Sequence, residues 1–209
     1  MLNEATTLNP CFLMGQQEFN WREWIEKGDE LSFSIIYNTH VNNLFSYGRG
    51  MGFSEDNCKD AIQETFIRLH LHRKRMKHVQ NITAYLFKMF KNNLLDQKER
   101  SMKEEAIDPH SKTFSVNITV LDNIIDMETS RIIKEKVAAL LNHLTPSQRE
   151  VIYLKYMMGL KHKEIAEILN INEESARKLL YRAMEKLRTE ASCNHLLEKL
   201  LLVCLLHLI

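Results

Sequence analysis

Two basic blocks and one mixed polar face are the residues with chemistry to offer. From Arg177 to Arg188, five Lys/Arg stand against one Glu, a net +4; from Phe66 to Arg100, nine stand against two acids, a net +7. Between them, Ser101 to Ser130 holds two Lys against six acids, a net −4, so the whole-chain charge of only +1 conceals a strong segregation. Two basic blocks around an acidic one point to two polyanion-facing surfaces on either side of a linker; solvated helix faces are the competing account from charge alone. Upstream, Asp60, Gln63, Glu64 and Ile67 recur at i, i+3, i+4, i+7 and so share one side of a helix.

Catalysis and metal binding find little to work with. The chain has no Ser-His-Asp order and no nucleophile motif, and no cofactor or metal is expected. His70 and His72 lie two apart and point to different sides of a helix, where chelation would need an i, i+4 pair. Gly48, Gly50 and Gly52 lack the preceding strand and following helix of a phosphate loop and read as an inter-helix turn. Cys11, Cys58, Cys193 and Cys204 form no CxxC pair and read as free thiols of a reducing cytoplasm. Residues 1–20 lack the basic head and apolar run of a secretory signal. The most apolar stretch, Leu200 to Ile209, is about half the length of a bilayer span, so no stable membrane insertion is expected.

The elements that must position these residues are helices. Six Gly and three Pro in 209 residues are too few turn formers for a many-stranded sandwich or barrel, while 44% hydrophobic residues suffice for a core, so an all-α fold is expected. A first helical block runs from about Trp21 to Arg100, with Phe33, Ile36, Tyr37, Val41, Leu44 and Phe45 at helical spacing. Ser54 is placed to cap a helix whose first turn carries Glu55 and Asp56 and whose inner side is Cys58, Ile62, Thr65, Phe66 and Leu69. Asn81 caps a further helix, with Leu86, Phe90 and Leu94 inward and Tyr85, Lys88 and Asn92 outward. Residues 101–129 are polar, acidic and aperiodic, and read as a linker. Beyond it, Ile133, Val137, Leu140 and Leu141 mark a helix, Thr145-Pro146-Ser147-Gln148 a capping box, and Gly159 a helix stop.

The most informative segment is Lys163 to Arg188. Two helices, Lys163 to Leu169 and Glu173 to Arg188, are separated by Asn170-Ile171-Asn172. Ala166 is the small residue that crossing helices need, Asn170 tolerates left-handed backbone, Asn172 caps the second helix, and Ile171 is expected to be buried as the lock. Ala176, Leu179, Ala183 and Leu187 form the inner stripe; Glu174, Arg177, Lys178, Tyr181 and Arg182 form the outer side. This is helix-turn-helix logic, with the outer side as a recognition surface for a DNA major groove. An ordinary helical hairpin with a solvated charged side is the alternative.

At this point the resemblance becomes specific. Leu144-Thr-Pro-Ser-Gln-Arg-Glu-Val-Ile-Tyr-Leu-Lys-Tyr-Met-Met-Gly-Leu160, Lys163-Glu-Ile-Ala-Glu-Ile-Leu169 and Ala176-Arg-Lys-Leu-Leu-Tyr-Arg-Ala-Met-Glu-Lys-Leu-Arg188 together resemble region 4 of bacterial RNA polymerase sigma factors. Asp60-Ala-Ile-Gln-Glu-Thr-Phe-Ile-Arg-Leu69 resembles their region 2.2, and Tyr85-Leu-Phe-Lys-Met-Phe-Lys-Asn92, with Asp96 and Arg100 beyond, resembles regions 2.3 and 2.4. Two such blocks around a short acidic linker resemble the extracytoplasmic-function (ECF) group, which has regions 2 and 4 and little else. The resemblance spans about Trp21 to Arg188.

It implies roles residue by residue. Asp60, Gln63, Glu64 and Ile67 would dock on the clamp helices of the polymerase β′ subunit; region 4 would meet the β flap. Lys77, Asn81, Tyr85, Lys88, Asn92 and Arg100 would open and hold the −10 promoter element, with Tyr85 and Asn81 capturing exposed bases and Lys74, Arg75, Lys88, Lys91 and Arg100 holding phosphates. Core packing is the competing role for Tyr85. Glu174, Ser175, Arg177, Lys178, Tyr181 and Arg182 would meet the −35 element as duplex, Arg177 and Lys178 at guanine edges or phosphates and Arg182 at the backbone. Glu173 and Glu174 also suit a helix N-terminus as acids complementing its dipole, and Glu174, if it faces the groove, pairs with a cytosine amino group. The family often has Trp where His70 stands.

The expectation is therefore an all-α protein of two small helical domains joined by a linker, the second containing a helix-turn-helix: an N-terminal tail (1–20), region 2 (21–100), linker (101–129), region 4 (130–190) and an apolar C-terminal helix (191–209). Leucines surround that last helix, so it must be buried, on its own domain or on a partner such as an anti-sigma factor. The expected function is a cytoplasmic, non-enzymatic initiation factor that binds core RNA polymerase and promoter DNA. A helix-turn-helix repressor or activator with a helical sensor domain is the alternative; it has no need of the Asp60 face or of a second basic surface.

Overall fold

The computed structural model describes residues 21–104, 114 and 137–192, and all regular structure among them is helical. The helices are α1 (residues 21–27), α2 (Glu30–Gly50), α3 (Glu55–Leu71), α4 (Ile82–Glu104), α5 (residues 137–142), α6 (Pro146–Ile152), α7 (His162–Leu169) and α8 (Glu173–Ser192), with a 3₁₀ turn at Arg73–His78 and a π turn at Tyr153–Met157. The apolar tail and Ile133 lie outside the described residues.

Local chemistry accounts for where the helices begin. Ser54 Oγ accepts the Asn57 N–H at 3.1 Å and Asn81 Oδ1 the Ala84 N–H at 3.1 Å, which satisfies donors that a first helical turn leaves bare. Thr145 and Gln148 form the reciprocal capping box, each side chain accepting from the other's backbone at 3.3 and 3.0 Å. Asp29 Oδ1 accepts the Ser32 N–H at 2.8 Å and starts α2. The Arg73 guanidinium donates to Trp24 and Ile25 carbonyls at 3.0 and 2.7 Å, so this first member of the basic run serves as a cap for the end of α1.

Four expectations need correction. Gly48 and Gly50 lie inside α2, and only Gly52, at φ 87°, belongs to the turn. Gly48 is required by close helix approach: a Cβ there would sit 2.7 Å from Cys58 Sγ and 2.9 Å from the Phe90 ring. The helix begun at Pro146 does not run regularly to Gly159; it widens into the π turn, and Gly159, at φ 65°, ends that turn. Helix α4 passes Arg100 and continues to Glu104. Ile171 is 38% exposed: its N–H ties the turn by bonding the Ala166 carbonyl at 3.0 Å, while Ala166, Ile168 and Ala176 supply the buried contact.

Helices α2, α3 and α4 enclose Leu44, Phe66, Leu69, Leu86, Phe87 and Phe90; α6, α7 and α8 enclose Val151, Leu154, Ile165, Ala176 and Ala183. The two helical lobes share a continuous core. Tyr47 of α2 stacks on Tyr153 with ring centroids 5.8 Å apart, and Phe114, from within the expected linker, packs on both rings at 5.8 and 5.9 Å. The linker thus holds an anchor, only 3% exposed, that its polar composition concealed.

Candidate polymerase and nucleic-acid interface

On α3 the inward residues Cys58, Ala61, Ile62, Thr65, Phe66 and Leu69 are consumed by the core, which turns Asp60, Gln63 and Ile67 to solvent and leaves Glu64 half-buried in an ion pair with Arg68. Beside this face runs an open apolar groove of about 720 Å³, walled by Phe33, Tyr37 and Phe45 of α2 and by Phe66, Ile67 and Leu71 of α3. Sequence reasoning missed the groove because its walls come from two helices whose apolar residues look like core when read singly. His70 is exposed, with its ring against Phe33 (5.5 Å) and Trp24 (6.2 Å).

The second set lies on the 3₁₀ turn and α4. Lys74, Arg75, Lys77, Lys88, Asn92 and Arg100 are exposed; Tyr85 is half-buried, and burial pushes its phenol pKa up. Asn81 has both ends engaged, its oxygen capping α4 and its amide donating to Glu164 at 2.9 Å. Lys91, half-buried, donates to Glu150 at 2.7 Å. The start of α4 is also held by a residue that spacing did not flag. His40 is buried on α2, with Nδ1 2.8 Å from the Ile36 carbonyl and Nε2 3.0 Å from Thr83 Oγ1; burial holds its pKa below the ordinary histidine value.

The third set stands on the helix-turn-helix. Asn170 takes the left-handed conformation at φ 54°, ψ 47°, which lets the chain reverse between α7 and α8. Asn172 Oδ1 accepts the Ser175 N–H at 2.7 Å and sets the start of α8. With Ala176, Leu180, Ala183 and Leu187 buried, Glu174, Arg177, Lys178, Tyr181 and Arg182 face solvent, and Ser175 is half-buried. Arg177 pairs with Glu173 (2.5 Å) and Lys178 with Glu174 (2.7 Å), both exposed i, i+4 pairs that are weak and exchange readily for phosphate. Burial lowers the His162 pKa, with the charges of Lys155 and Arg177 adding to the effect and that of Glu173 opposing it.

The structure brings two of the three sets together. Lys88 and Asn92 on one wall, and Ser175, Lys178 and Arg182 on the other, line a single open cleft of about 1080 Å³ between α4 and the helix-turn-helix. The Asp60 face is elsewhere, beside its own groove. Among the described residues no group of His, Cys, Asp and Glu is arranged to hold a metal, and no helix is long and apolar enough to cross a membrane.

A helix-turn-helix lobe joined to a second basic helical lobe with a separate mixed face defines a DNA-binding protein that also has a protein partner to dock. The family model for sigma-70 region 2 matches residues 36–104, and that for sigma-70 region 4 matches residues 134–187. The ECF RNA polymerase sigma factor SigM of Bacillus subtilis is 25% identical over 159 residues, covering 76% of this chain and 94% of that one; SigW of the same organism is 23% identical, covering 79% and 92%. Among solved structures, the sigma factor RpoE in complex with the anti-sigma factor NepR, from Bartonella quintana, has the same fold at a TM-score of 0.54, with 16% identity over 78% of this chain and 98% of that one. CnrH in complex with the cytosolic domain of CnrY gives 0.52, with 19% identity over 85% and 98%. The chain belongs to the sigma-70 family, in the ECF group: it is a transcription initiation factor that directs core RNA polymerase to promoters. The repressor alternative is thereby set aside.

Proposed function

We propose that the chain divides this work among its three exposed sets. Asp60, Gln63, Glu64 and Ile67 dock on the β′ clamp helices, with the neighbouring apolar groove adding contact area. Asn81, Tyr85, Lys88, Asn92, Lys77 and Arg100 take the opened −10 strand, and Glu174, Ser175, Arg177, Lys178, Tyr181 and Arg182 take the −35 duplex, with region 4 resting on the β flap. The chain acts by binding, without a catalytic step of its own, in the cytoplasm where polymerase works. The observation that carries the reading is the sharp two-sidedness of α8: Ala176, Leu180, Ala183 and Leu187 face the core, and every charged candidate on the opposite side stands in solvent with only weak partners. The RpoE structure contains an anti-sigma factor, and a regulator of that kind is proposed for this chain too.

The docking assignment is tested by an Asp60→Ala/Gln63→Ala double variant. Neither side chain supports the core, so helical content by circular dichroism should be unchanged while binding to core polymerase is lost. Full retention of binding would overturn the assignment.

A further inference from the structure

Helix α1 holds the basic 3₁₀ turn at both ends. The chain leaves α1 at Gly28, whose φ of 71° is left-handed and whose N–H returns to the Trp24 carbonyl at 2.8 Å. Arg73, the first residue of the turn, lays its half-buried guanidinium across this end of α1. It donates to the Trp24 and Ile25 carbonyls at 3.0 and 2.7 Å, where the helix dipole is negative. A Cβ on residue 28 would stand 2.6 Å from the guanidinium carbon, so only glycine leaves room to seat it. Past the far end of the turn, the indole N–H of buried Trp21 donates to the Val79 carbonyl at 3.2 Å. Between the two ties Met76 is buried, while Lys74, Arg75 and Lys77 stand in solvent.

We propose that α1 is a brace for the −10 strand. Arg73 and Trp21 are positioning residues: they hold the turn so that Lys74, Arg75 and Lys77 present their charges beside the start of α4, where Asn81 and Tyr85 follow. The inference rests on the −10 assignment made above. A 3₁₀ turn makes few and poorly aligned hydrogen bonds of its own and does not keep one shape unaided. Residues 73–77 carry four cations, which repel one another, and a lysine is a point charge on a flexible stem that meets phosphate where its backbone places it. Tying both ends of the turn to α1 and plugging its middle with Met76 removes that freedom before DNA arrives. The ordering entropy is then lost on folding and not on promoter opening. The Arg73 guanidinium is committed to α1, so Arg73 makes no phosphate contact, although the charge run counts it with its neighbours.

The test uses the full-length chain. Both tryptophans of the protein lie on α1, so its intrinsic emission reports on the clamp. Arg73→Gln should raise the quenching of that emission by acrylamide. With core polymerase and a promoter recovered from a randomised library, the same variant should slow opening, read as permanganate reactivity of unpaired −10 thymines, by about tenfold or more. Trp21→Phe, which keeps a ring in place and removes one hydrogen bond, should slow it by about two- to tenfold. The salt dependence of promoter binding should match the parent in Arg73→Gln and become shallower in Lys74→Gln/Arg75→Gln/Lys77→Gln. A shallower dependence in Arg73→Gln would make that residue a phosphate contact and overturn the proposal. Polymerase binding and −35 duplex affinity should also match the parent, and their decline in step with opening would reduce the clamp to general stability and overturn it. Parental quenching in Arg73→Gln, or parental opening in both clamp variants, would overturn it as well. Failure of the −10 assignment gives a different result: the triple variant would keep the parent's opening rate and salt dependence while Arg73→Gln still raised the quenching.

Discussion

The Tyr47 hydroxyl donates a 2.6 Å hydrogen bond to Glu150, 103 residues away in the sequence and on the other lobe. Burial pushes the phenol pKa far up, and the neighbouring carboxylate charge raises it further, so Tyr47 stays a neutral donor at every working pH. Glu150 holds two donors, Tyr47 and Lys91, and is the point where the lobes are tied. Glu150→Ala leaves both without a partner and should lower stability to urea by about 1–3 kcal/mol, whereas Tyr47→Phe, which removes one hydrogen bond, should cost about 1 kcal/mol. Equal stability of Glu150→Ala and the parent would mean that the lobes are already apart in solution.

His40 should give the fold a dependence on acid. Its folded pKa is depressed by burial, so the unfolded chain takes up the proton more readily than the folded one. The sign follows: the contribution is complete above the unfolded value of about 6.5 and is lost as the pH falls from there toward the folded value. Urea midpoints should therefore decline from neutral pH into mild acid, and His40→Gln, which can still hydrogen-bond to Thr83, should flatten the decline. Parallel curves for the two proteins would exclude His40 as the source.

Asn170 should be replaceable by glycine and little else. Its φ of 54° is one that a Cβ opposes, most strongly when the side chain is β-branched. Asn170→Gly should leave thermal stability within a few tenths of a kcal/mol of the parent, and Asn170→Val should cost about 1–2 kcal/mol and misalign α8, weakening −35 binding. Indistinguishable melting of the valine variant would show that the turn does not carry that strain.

How much of this was readable beforehand follows from the reach of each interaction. Ser54, Asn81, Thr145, Gln148 and Asn172 act on backbone three residues away, so their roles lie in the local sequence, and each caps its helix as expected. The inward and outward sides of α3 and α4 follow from helical period alone; on α8 the expected inner stripe holds at Ala176, Ala183 and Leu187, while Leu180 is buried and Leu179 only half-buried. Phe114 was illegible because a lone aromatic in an acidic stretch has no period, and its partners, Tyr47 and Tyr153, come from both lobes. The expected burial of Ile171 does not hold because the turn is tied through its backbone N–H and not through its apolar side chain. The carboxylates of Glu150, Glu164 and Glu167 read locally as helix-surface charge; only the approach of α6 and α7 to α4 gives them partners.

Arg177 separates base reading from phosphate holding in region 4. If its guanidinium meets a guanine edge, Arg177→Ala should cost about 1–3 kcal/mol at the preferred −35 sequence and relax preference at one position. If it holds a phosphate, affinity should fall uniformly across sequences and the salt dependence should shallow by about one ion. Unchanged affinity and preference in a band-shift series would remove Arg177 from the interface.

The central claim is that this chain confers promoter choice on core RNA polymerase, and run-off transcription from a randomised promoter library tests it most directly. With the chain added, transcripts should be enriched for templates sharing two elements at a constant separation, one near −10 and one near −35. Transcription no greater and no more selective than that of core polymerase alone would contradict the account.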